Sequence, residues 1–401
     1  MIPARTVRGE GITIIVLNWN RGSETIACLE SLAAADLRGA SILVVDNGSR
    51  DGSVEAIRRR FPDLRVIALP ENRGYAGGNN AGMRAALEAG AGAVLLLNND
   101  TRVAPDFLPP LLDAINSGSM TGAVASAVIR LDRPDMHDVA YSEVRFKEKH
   151  VVQLRGVNLP VFGSYDRRRH VEVVVGCCVL LNAEALRSVG LFDEAYFAYH
   201  EDVDWSLRAR SKGYELFYEP YSRVYHRGSL STAGLHERPP APAPFPGEAK
   251  LPNEEPLPWN PVRAYLGARN TVRLLRTHAT WWQRMAFTIS FLREVPLEFT
   301  AIVLGREGWM KLGRWSWSEL ARFYFLDRRG IPRGRPPGGR QRLARALRVA
   351  LIVPVDTLWS FPRDVLHAVR IGRTTEMAET LRGLRDGALD RPLPLERLGL
   401  R

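Results

Sequence analysis

Short apolar runs alternate with segments of helical periodicity through the first hundred positions of the chain. The runs are β-branched and leucine-rich, as buried strands are, and several helical segments start at Ser or Asp-Gly-Ser, which can cap a helix. This alternation predicts an α/β fold with a mostly parallel, Rossmann-like sheet flanked by helices. The predicted strands are 12–17, 42–45, 64–69 and 93–97, and the predicted helices are 23–32, 51–60 and 79–89.

The pattern changes after the fourth strand. Residues 130–170 are polar and basic, and we interpret them as an excursion that faces an acceptor. Strand character returns at 171–175, 214–218 and 223–226, with a helix predicted over 205–212. Proline-rich residues 230–261 predict a loop or linker. The remaining residues, 262–401, have mostly helical patterns, so we predict three parts, 1–229, 230–261 and 262–401.

Positive charge is concentrated in the C-terminal third. Residues 261–401 hold 26 Lys and Arg against 12 Asp and Glu, a balance of +14, whereas the whole chain carries +11 and residues 1–260 therefore carry −3. This asymmetry predicts an anionic partner surface, either lipid headgroups or nucleic acid. Because no nucleic-acid-binding motif accompanies the charge, we favour lipid and expect no nucleic-acid partner.

The C-terminal aromatic residues bear on how the chain would meet a membrane. Stretches 285–304 and 343–361 contain charged residues and proline, so neither predicts a membrane span. Tryptophans beside arginines are typical of helices that lie in a membrane interface. The alternative is an ordinary packed helical subdomain with a solvated basic face. The tryptophans are Trp281, Trp282, Trp309, Trp315 and Trp317.

Cysteine usage indicates the compartment. The chain has three cysteines, Cys28 and the adjacent pair Cys177-Cys178, without zinc-ligand spacing. We expect free thiols in a reducing compartment. Met1 to Glu10 has no apolar signal core, so we expect a cytoplasmic protein, peripheral on the inner face of the cell membrane.

Polar side chains follow the predicted strands, at the edge of a parallel sheet where ligands bind. They are Asn18, Asn20, Asp46, Asn72 and the turn Asn98-Asn99-Asp100. Each has a structural alternative, because Asp-Asn-Gly-Ser after Val45 is turn chemistry as well as a possible nucleotide contact. A hard divalent cation prefers oxygen ligands, so the carboxylate of Asp100 is a candidate ligand for a metal-bound diphosphate.

Three further segments carry candidate chemistry. The glycine-bearing stretch 71–80, with Arg73, Gly78 and Asn79, is either a phosphate- or base-facing loop or a tight strand-to-helix connection. Glu201, Asp202 and Asp204 open a helix, where the dipole stabilises carboxylates, but a cluster this dense also suggests a general base. His226, at a strand end, is either a surface histidine or a second metal ligand.

These motifs, in this order, resemble family 2 inverting glycosyltransferases, most closely the bacterial rhamnosyltransferase-like branch that builds cell-surface polysaccharides. The resemblance covers about residues 10–280 and extends, more weakly, to 381–387. The matching segments are 16–20, 45–49, 71–80, 97–101, 190–194, 201–204, 225–226 and 268–270.

The resemblance implies a glycosyltransferase A-type fold, a dTDP- or UDP-linked sugar donor, a glycan or lipid-linked acceptor, and Mg²⁺ or Mn²⁺. It makes Asp202 the catalytic base and Asp100, with His226, the metal ligands, while Asn98 leaves that turn with one carboxylate. It assigns Asp46 to the base of the nucleotide and Asn98 to its ribose or phosphates. The remaining residues of the donor site are Asn18, Asn20, Asn72, Arg73, Gly78, Asn79, Asn99 and Glu201.

Two other functions compete with a metal-dependent inverting transferase. A sugar-nucleotide pyrophosphorylase would need a glycine-rich, Arg- or Lys-bearing loop near the first strand, and residues 18–22 are too short for one. A catalytically inert membrane or assembly module would be favoured by loss of Asp100 or Asp202, yet both are present.

Overall fold

The computed structural model describes residues 6–227, 261–291 and 373–400. Most of the strands belong to one large sheet. In chain order the strands are β1 (Ile12–Asn18), β2 (Ser41–Asp46), β3 (Arg65–Ala68), β4 (Ala93–Asn98), β5 (Thr101–Val103), β6 (Thr121–Arg130), β7 (His137–Val139), β8 (Tyr141–Val144), β9 (Val152–Arg155), β10 (Arg169–His170), β11 (Cys178–Asn182) and β12 (Glu215–His226).

Helices flank this sheet and continue beyond it. They are α1 (Gly22–Ala33), α2 (Ser53–Arg60), α3 (Gly74–Glu88), α4 (Leu108–Ile115), α5 (Ala183–Val189), α6 (Glu201–Ser211), α7 (Pro261–His278), α8 (281–291) and α9 (Arg373–Ala388). Short 3-10 turns occupy Gly9–Gly11 and Glu194–Tyr196.

The main path of the sheet has the order β10-β12-β6-β11-β4-β1-β2-β3, with β5 on β12 and β7 on β6. Strands β3, β2, β1 and β4 are parallel, as the sequence predicts. Beyond them the sheet is mixed, because β11 runs antiparallel between β4 and β6. The predicted α/β class, with a sheet flanked by helices, is confirmed. The parallel register places Asn18 beside Asp46 and Leu17 beside Asn98.

Several predicted elements differ from the structure. The helix predicted over 205–212 is α6, which starts at Glu201, four residues earlier. Residues 171–175 form only an isolated bridge at Val173, and the strand is β11 instead, because it inserts between β4 and β6. Helix α3 starts at Gly74, five residues earlier than predicted, since its glycines sit inside the helix. The predicted strands at 214–218 and 223–226 are one strand, β12, whose register shifts between Glu219 and Arg223.

The described C-terminal segments pack against the rest of the fold. Leu274 and Leu275 of α7 share an apolar cluster with Tyr196 and Val203. A second cluster joins Phe197 to the far end of α7 and to the last residues of the chain, and its members are Phe197, Val262, Tyr265, Leu266, Leu398 and Leu400. Helix α7 and residues 398–400 therefore cover the segment that leads into α6.

Other predictions for the C-terminal region fall on residues outside the described ranges. These are the linker at 230–260, stretch 343–361, most of stretch 285–304, and Trp309, Trp315 and Trp317. Within the described ranges, none of the helices combines the length and the apolar character needed to cross a membrane.

Helices α7 and α9 approach most closely at glycines of α9. A Cβ added at Gly383 would lie against the backbone carbonyl of Tyr265 and 3.1 Å from the Cβ of Ala268. We predict that Gly383→Ala destabilises the protein by about 1–3 kcal/mol through overpacking. The free energy of unfolding in urea measures this change.

Gly267 is the matched control, because it lies in α7 with open space around the position of an added Cβ. Gly267→Ala should stabilise the protein by up to about 1 kcal/mol through helix propensity. Equal stability of the two variants would contradict the close packing of α7 on α9.

Candidate functional site

The ends of β1 and β2 are joined by buried polar side chains. Asn18 donates its Nδ2 to Asp46 Oδ1 at 2.7 Å and to Ser49 Oγ at 3.0 Å. The backbone amide of Ser49 donates to Asp46 Oδ2 at 3.0 Å, so both carboxylate oxygens of Asp46 have partners. Asp46 is thus held by its own turn, and its predicted contact with a nucleotide would be made from a fixed position.

This network continues to the end of β4 through a residue that the sequence analysis missed. Thr25 Oγ1 donates to Asn18 Oδ1 at 2.5 Å, and Asn99 Nδ2 donates to Thr25 Oγ1 at 2.9 Å. Asn20 is held nearby, since its Oδ1 accepts from the amide of Arg50 at 2.9 Å. One chain of hydrogen bonds therefore fixes the carboxyl ends of β1, β2 and β4.

The loop between β3 and α3 is fixed by amide side chains. Asn47 Nδ2 donates to Asn72 Oδ1 at 2.8 Å, and the amide of Arg73 donates to Asn47 Oδ1 at 3.0 Å. The guanidinium of Arg73 pairs with Glu194 at 2.7 Å. Asn72 Nδ2 donates to the carbonyl of Leu400 at 3.0 Å. The end of the chain therefore borders this loop.

Gly78 and Asn79 lie inside α3, which begins at Gly74, and not at the end of a loop as predicted. A Cβ at Gly78 would meet Leu17 Cδ1 at 2.5 Å, so this glycine permits close packing of α3 on β1. Asn79 is buried, and its Nδ2 donates to the carbonyl of Tyr75 at 3.0 Å. These contacts explain both residues structurally, and a role in donor binding stays a prediction for them.

Asp100 and His226 meet at the junction of the β4–β5 turn with the end of β12. His226 Nε2 lies 3.2 Å from Asp100 Oδ1, and its Nδ1 lies 2.7 Å from Oδ2 of Asp138, a residue that no sequence pattern singled out. Burial disfavours the charged form of His226, but hydrogen bonds to Asp100 and Asp138 outweigh it and raise the pKa of His226 to about 10. Burial would raise the pKa of Asp100, yet His226 holds it below its usual value.

This pair fits the divalent cation that the family resemblance implies. Within residues 6–227, 261–291 and 373–400, no set of three or more His, Cys, Asp or Glu side chains is arranged to hold a metal ion. Two donors 3.2 Å apart suit adjacent ligands of one cation, which would take its other ligands from diphosphate and water. To ligate a cation, His226 would lose its Nε2 proton, and the carboxylate of Asp138 at its other ring nitrogen would orient the imidazole.

Asp202 lies at the start of α6 and is held by two backbone amides. Gly176 N donates to Asp202 Oδ2 at 2.9 Å, and Val203 N donates to Oδ1 at 2.8 Å. Burial raises the pKa of Asp202, and these amides oppose the shift. Burial, followed by the charge of Asp202, raises the pKa of Glu201 well above its usual range. Glu201 Oε2 has no hydrogen-bond partner among the described residues. Asp202 therefore has the amide donors that stabilise a carboxylate, whereas Glu201 Oε2 has no such donor among the described residues.

Asp204 has a structural role that the other two acids lack. Its carboxylate accepts from Arg208 Nε at 2.8 Å and lies 2.8 Å from His278 Nε2 of α7. Asp204 is buried, and these contacts give it a structural role that requires no part in catalysis.

The segment before β11 places Asp202 next to the end of β4. The amide of Gly176 binds Asp202, and the carbonyl of the next residue, Cys177, accepts from the amide of Asn98 at 2.9 Å. Tyr75 of α3 donates its hydroxyl to the carbonyl of Gly176 at 2.6 Å. The structure thus brings the predicted base to the edge that carries the predicted donor residues.

Comparison with known proteins identifies the family of the chain. The model of glycosyl transferase family 2 matches residues 13–189. An uncharacterized protein of Mycobacterium tuberculosis is 31% identical over 214 residues, which cover 51% of this chain and 70% of that protein. The chain belongs to glycosyl transferase family 2. The predicted class of enzyme, a glycosyltransferase, is confirmed.

Other relatives of this family 2 glycosyltransferase have named activities. The N-acetylglucosaminyl-diphospho-decaprenol L-rhamnosyltransferase of M. tuberculosis is 28% identical over 245 residues, 55% of this chain and 77% of that protein. Among solved structures, a mannosyltransferase from Pyrobaculum calidifontis in complex with GDP-Man and Mn²⁺ is 16% identical, with a TM-score of 0.45 over 94% of this chain and 87% of that one.

The raised pKa of His226 generates a prediction about stability and pH in the absence of metal. A pKa of 6.5 in the unfolded chain and about 10 in the fold means that protonated His226 stabilises the fold fully below pH 6.5. This contribution is lost as the pH rises towards 10. We expect the stability difference between wild type and His226→Gln to shrink by about 1.4 kcal/mol per pH unit at most between pH 7 and 9.

Urea unfolding in EDTA at several pH values measures this difference. His150→Gln, which replaces an exposed histidine, is the control and should change stability by less than about 0.5 kcal/mol. A difference for His226→Gln that is constant with pH would contradict the charged pairing of His226 with Asp100 and Asp138.

Proposed function

We propose that this protein is an inverting transferase that moves a sugar, rhamnose in the first instance, from a dTDP- or UDP-linked donor. The acceptor we propose is a hydroxyl of a lipid-linked or polymeric cell-surface glycan. The observation that carries this proposal is the Gly176-Cys177 segment, which joins Asp202 to the end of β4 through two backbone hydrogen bonds. Donor and acceptor groups bound at that edge would meet beside the half-buried carboxylate of Asp202.

Asp202 acts as the general base in this proposal. Its carboxylate takes the proton from the acceptor hydroxyl as that oxygen forms a bond to the anomeric carbon of the sugar. The bond from the anomeric carbon to the diphosphate breaks, and the nucleoside diphosphate leaves with the bonding electrons. Attack from the face opposite the leaving group inverts the anomeric configuration. The raised pKa of Asp202 makes it a stronger base than an exposed aspartate.

Glu201 and Asp202 have different roles in this proposal. With its pKa raised by burial and by the neighbouring charge, Glu201 is the member of the pair that keeps a proton. Asp202, which accepts two amide hydrogen bonds, is the member that ionises. The donor-site role predicted for Glu201 therefore becomes that of a neutral hydrogen-bonding group beside the base.

The leaving diphosphate would lie at Asp100 and His226. A divalent cation held there, Mg²⁺ or Mn²⁺, would neutralise charge on the departing diphosphate. Asn98, Asn99 and the ends of β1 and β2 would bind and orient the nucleotide. A glycosidase instead needs an acid that protonates the leaving oxygen, and a diphosphate leaving group makes such an acid unnecessary.

The relatives suggest the classes of donor and acceptor. The rhamnosyltransferase of M. tuberculosis is named for transfer to an N-acetylglucosaminyl-diphospho-decaprenol, which is a lipid-linked sugar. We therefore propose dTDP-rhamnose as the first donor to test and a polyprenyl-diphospho-sugar as the first acceptor. Such an acceptor is anchored in a membrane, which would require the enzyme to work at the membrane surface.

Helix α8 offers a surface for that contact. Its large apolar side chains are exposed, with exposed fractions of 59% for Trp281, 73% for Trp282, 42% for Met285 and 63% for Ile289. Their spacing places them along one side of a helix. Together with the excess of Lys and Arg in residues 261–401, this supports peripheral binding to an anionic leaflet on the cytoplasmic side.

The variant Asp202→Asn tests the proposed role of the base. Asp202→Asn should lower the rate of sugar transfer by at least about 10³-fold, because the base is lost. It should still bind dTDP-rhamnose, seen as an unchanged thermal stabilisation by the donor. Product formation from labelled donor and a soluble polyprenyl-diphospho-sugar analogue measures the rate.

Asp204→Asn is the matched control, since Asp204 pairs with Arg208 and His278 and has no proposed role in the reaction. It should lower stability and keep most of the turnover of the folded enzyme. Full turnover in Asp202→Asn would overturn the base assignment. Donor binding without transfer by the wild type would favour the inert module instead.

The exposed tryptophans of α8 provide a test of the proposed membrane binding. Replacing Trp281 and Trp282 together by Ser should reduce binding to anionic phospholipid vesicles by about tenfold or more, because two large side chains no longer enter the interface. Cosedimentation with vesicles measures the bound fraction. Leu154→Ser, which removes an exposed leucine of β9, is the control. Equal binding by the double variant and the wild type would contradict the proposed surface.

A further inference from the structure

The residues immediately before Asp202 follow an unusual backbone path. Phe197, Tyr199 and His200 all have positive φ, of 63°, 71° and 72°. At Phe197 the ψ of −65° and the 2.7 Å hydrogen bond from Ala198 N to Tyr196 O define a tight γ-turn of the rarer hand. A non-glycine residue with such a backbone conformation is strained and persists only where its surroundings hold it in place.

Asn270 of α7 holds this turn from one side. Its side chain is fully buried, and its Nδ2 lies 2.9 Å from the carbonyl oxygen of Tyr196 and 2.8 Å from those of Ala198 and Tyr199. The Tyr196 carbonyl already accepts from Ala198 N within the turn, whereas the carbonyls of Ala198 and Tyr199 need a donor from elsewhere. The amide group of Asn270 has two N–H bonds, which reach both of these carbonyls and share the third, that of Tyr196.

The neighbours of Asn270 extend the same contact. Arg269 Nη1 donates to the carbonyl of Ala195 at 2.9 Å. Thr271 Oγ1 lies 3.2 Å from Nε2 of His200, the residue directly before α6. Three consecutive residues of α7, 269–271, therefore bind the backbone or side chains of residues 195–200. In the described contacts these three residues do not bond to the side chains at the ends of β1, β2 and β4.

The start of α3 holds the turn from the other side. The amide of Ala76 donates to the carbonyl of Phe197 at 3.0 Å. Gly74 lies so close that an added Cβ would collide with that carbonyl and with the ring of Phe197. The turn is thus fixed between α3, which follows the predicted donor loop, and α7.

We propose that Asn270 is a positioning residue for catalysis, which fixes the strained turn 196–200 and thereby the placement of Asp202. This inference rests on the proposed role of Asp202 as the base. Asn270 does not touch the reacting groups. It acts through the turn, whose last residue, His200, sets where α6 begins and so where Asp202 meets Gly176.

The test is Asn270→Ala in the full-length protein, with dTDP-rhamnose and the polyprenyl-diphospho-sugar analogue. We expect kcat to fall by about tenfold or more, with the KM for the donor changed less than about threefold, because donor contacts remain. Hydrogen exchange should become faster in peptides that cover 195–204 and stay unchanged in β1 and β4. A residue that only stabilises the fold would lower the unfolding midpoint without this split between kcat and KM.

Thr277→Ala is the control on the same helix, since among the described residues the hydroxyl of Thr277 bonds only to the carbonyl of Arg273, within α7. It should leave kcat, KM and exchange unchanged. Asn270→Ser keeps one hydroxyl donor and serves if the alanine variant does not fold, and we expect an intermediate kcat. Wild-type kcat in a folded Asn270→Ala protein would overturn the inference, while the absence of transfer by the wild type would overturn the proposed function instead.

Discussion

The common end point of three parallel strands is the constraint on which the rest of the site depends. Strands β1, β2 and β4 are in a register that places Asn18 beside Asp46 and Leu17 beside Asn98. Their polar ends are then tied together by Thr25, which bonds both Asn18 and Asn99. A slip of one strand by one residue would turn these side chains into the apolar core. The register that forms the apolar core therefore also forms the edge of the sheet at which we propose that the donor binds.

The antiparallel strand β11 adds what the parallel strands lack. By pairing with β4, it brings Cys177 and Gly176 to the end of that strand, and Gly176 binds Asp202. The carboxylate of Asp202 accepts hydrogen bonds from two backbone amides and is also shielded from solvent. The two have opposite effects on its pKa, and burial prevails. In the proposed role of Asp202 as the base, this balance would keep the carboxylate ionisable while its basicity increases.

Sequence patterns predicted the first four strands, their polar ends and the acidic start of α6, because local periodicity and turn chemistry determine these features. They did not predict β11, since a strand inserted between β4 and β6 is defined by its neighbours and not by alternation. Asp138 was missed for a similar reason: it lies on short β7, 88 positions before His226, and only the fold brings the two together. Thr25 looked like an ordinary residue of an amphipathic helix. The start of α3 was misplaced because glycines at 74, 77 and 78 are typical of a loop, whereas Gly74 and Gly78 allow the helix to pack against Phe197 and Leu17.

The C-terminal region illustrates how a segment distant in sequence can belong to a site. Residues of α7 share apolar clusters with Tyr196 and Phe197, and His278 reaches Asp204 within α6. The last residues of the chain contact Asn72 beside the predicted donor loop. The same region carries the exposed tryptophans of α8 and the excess positive charge. Helix α7 holds the turn before the proposed base and leads into α8, which carries the proposed lipid-binding face. This connection would place the site at a fixed height above a membrane, where the proposed lipid-linked acceptor would arrive.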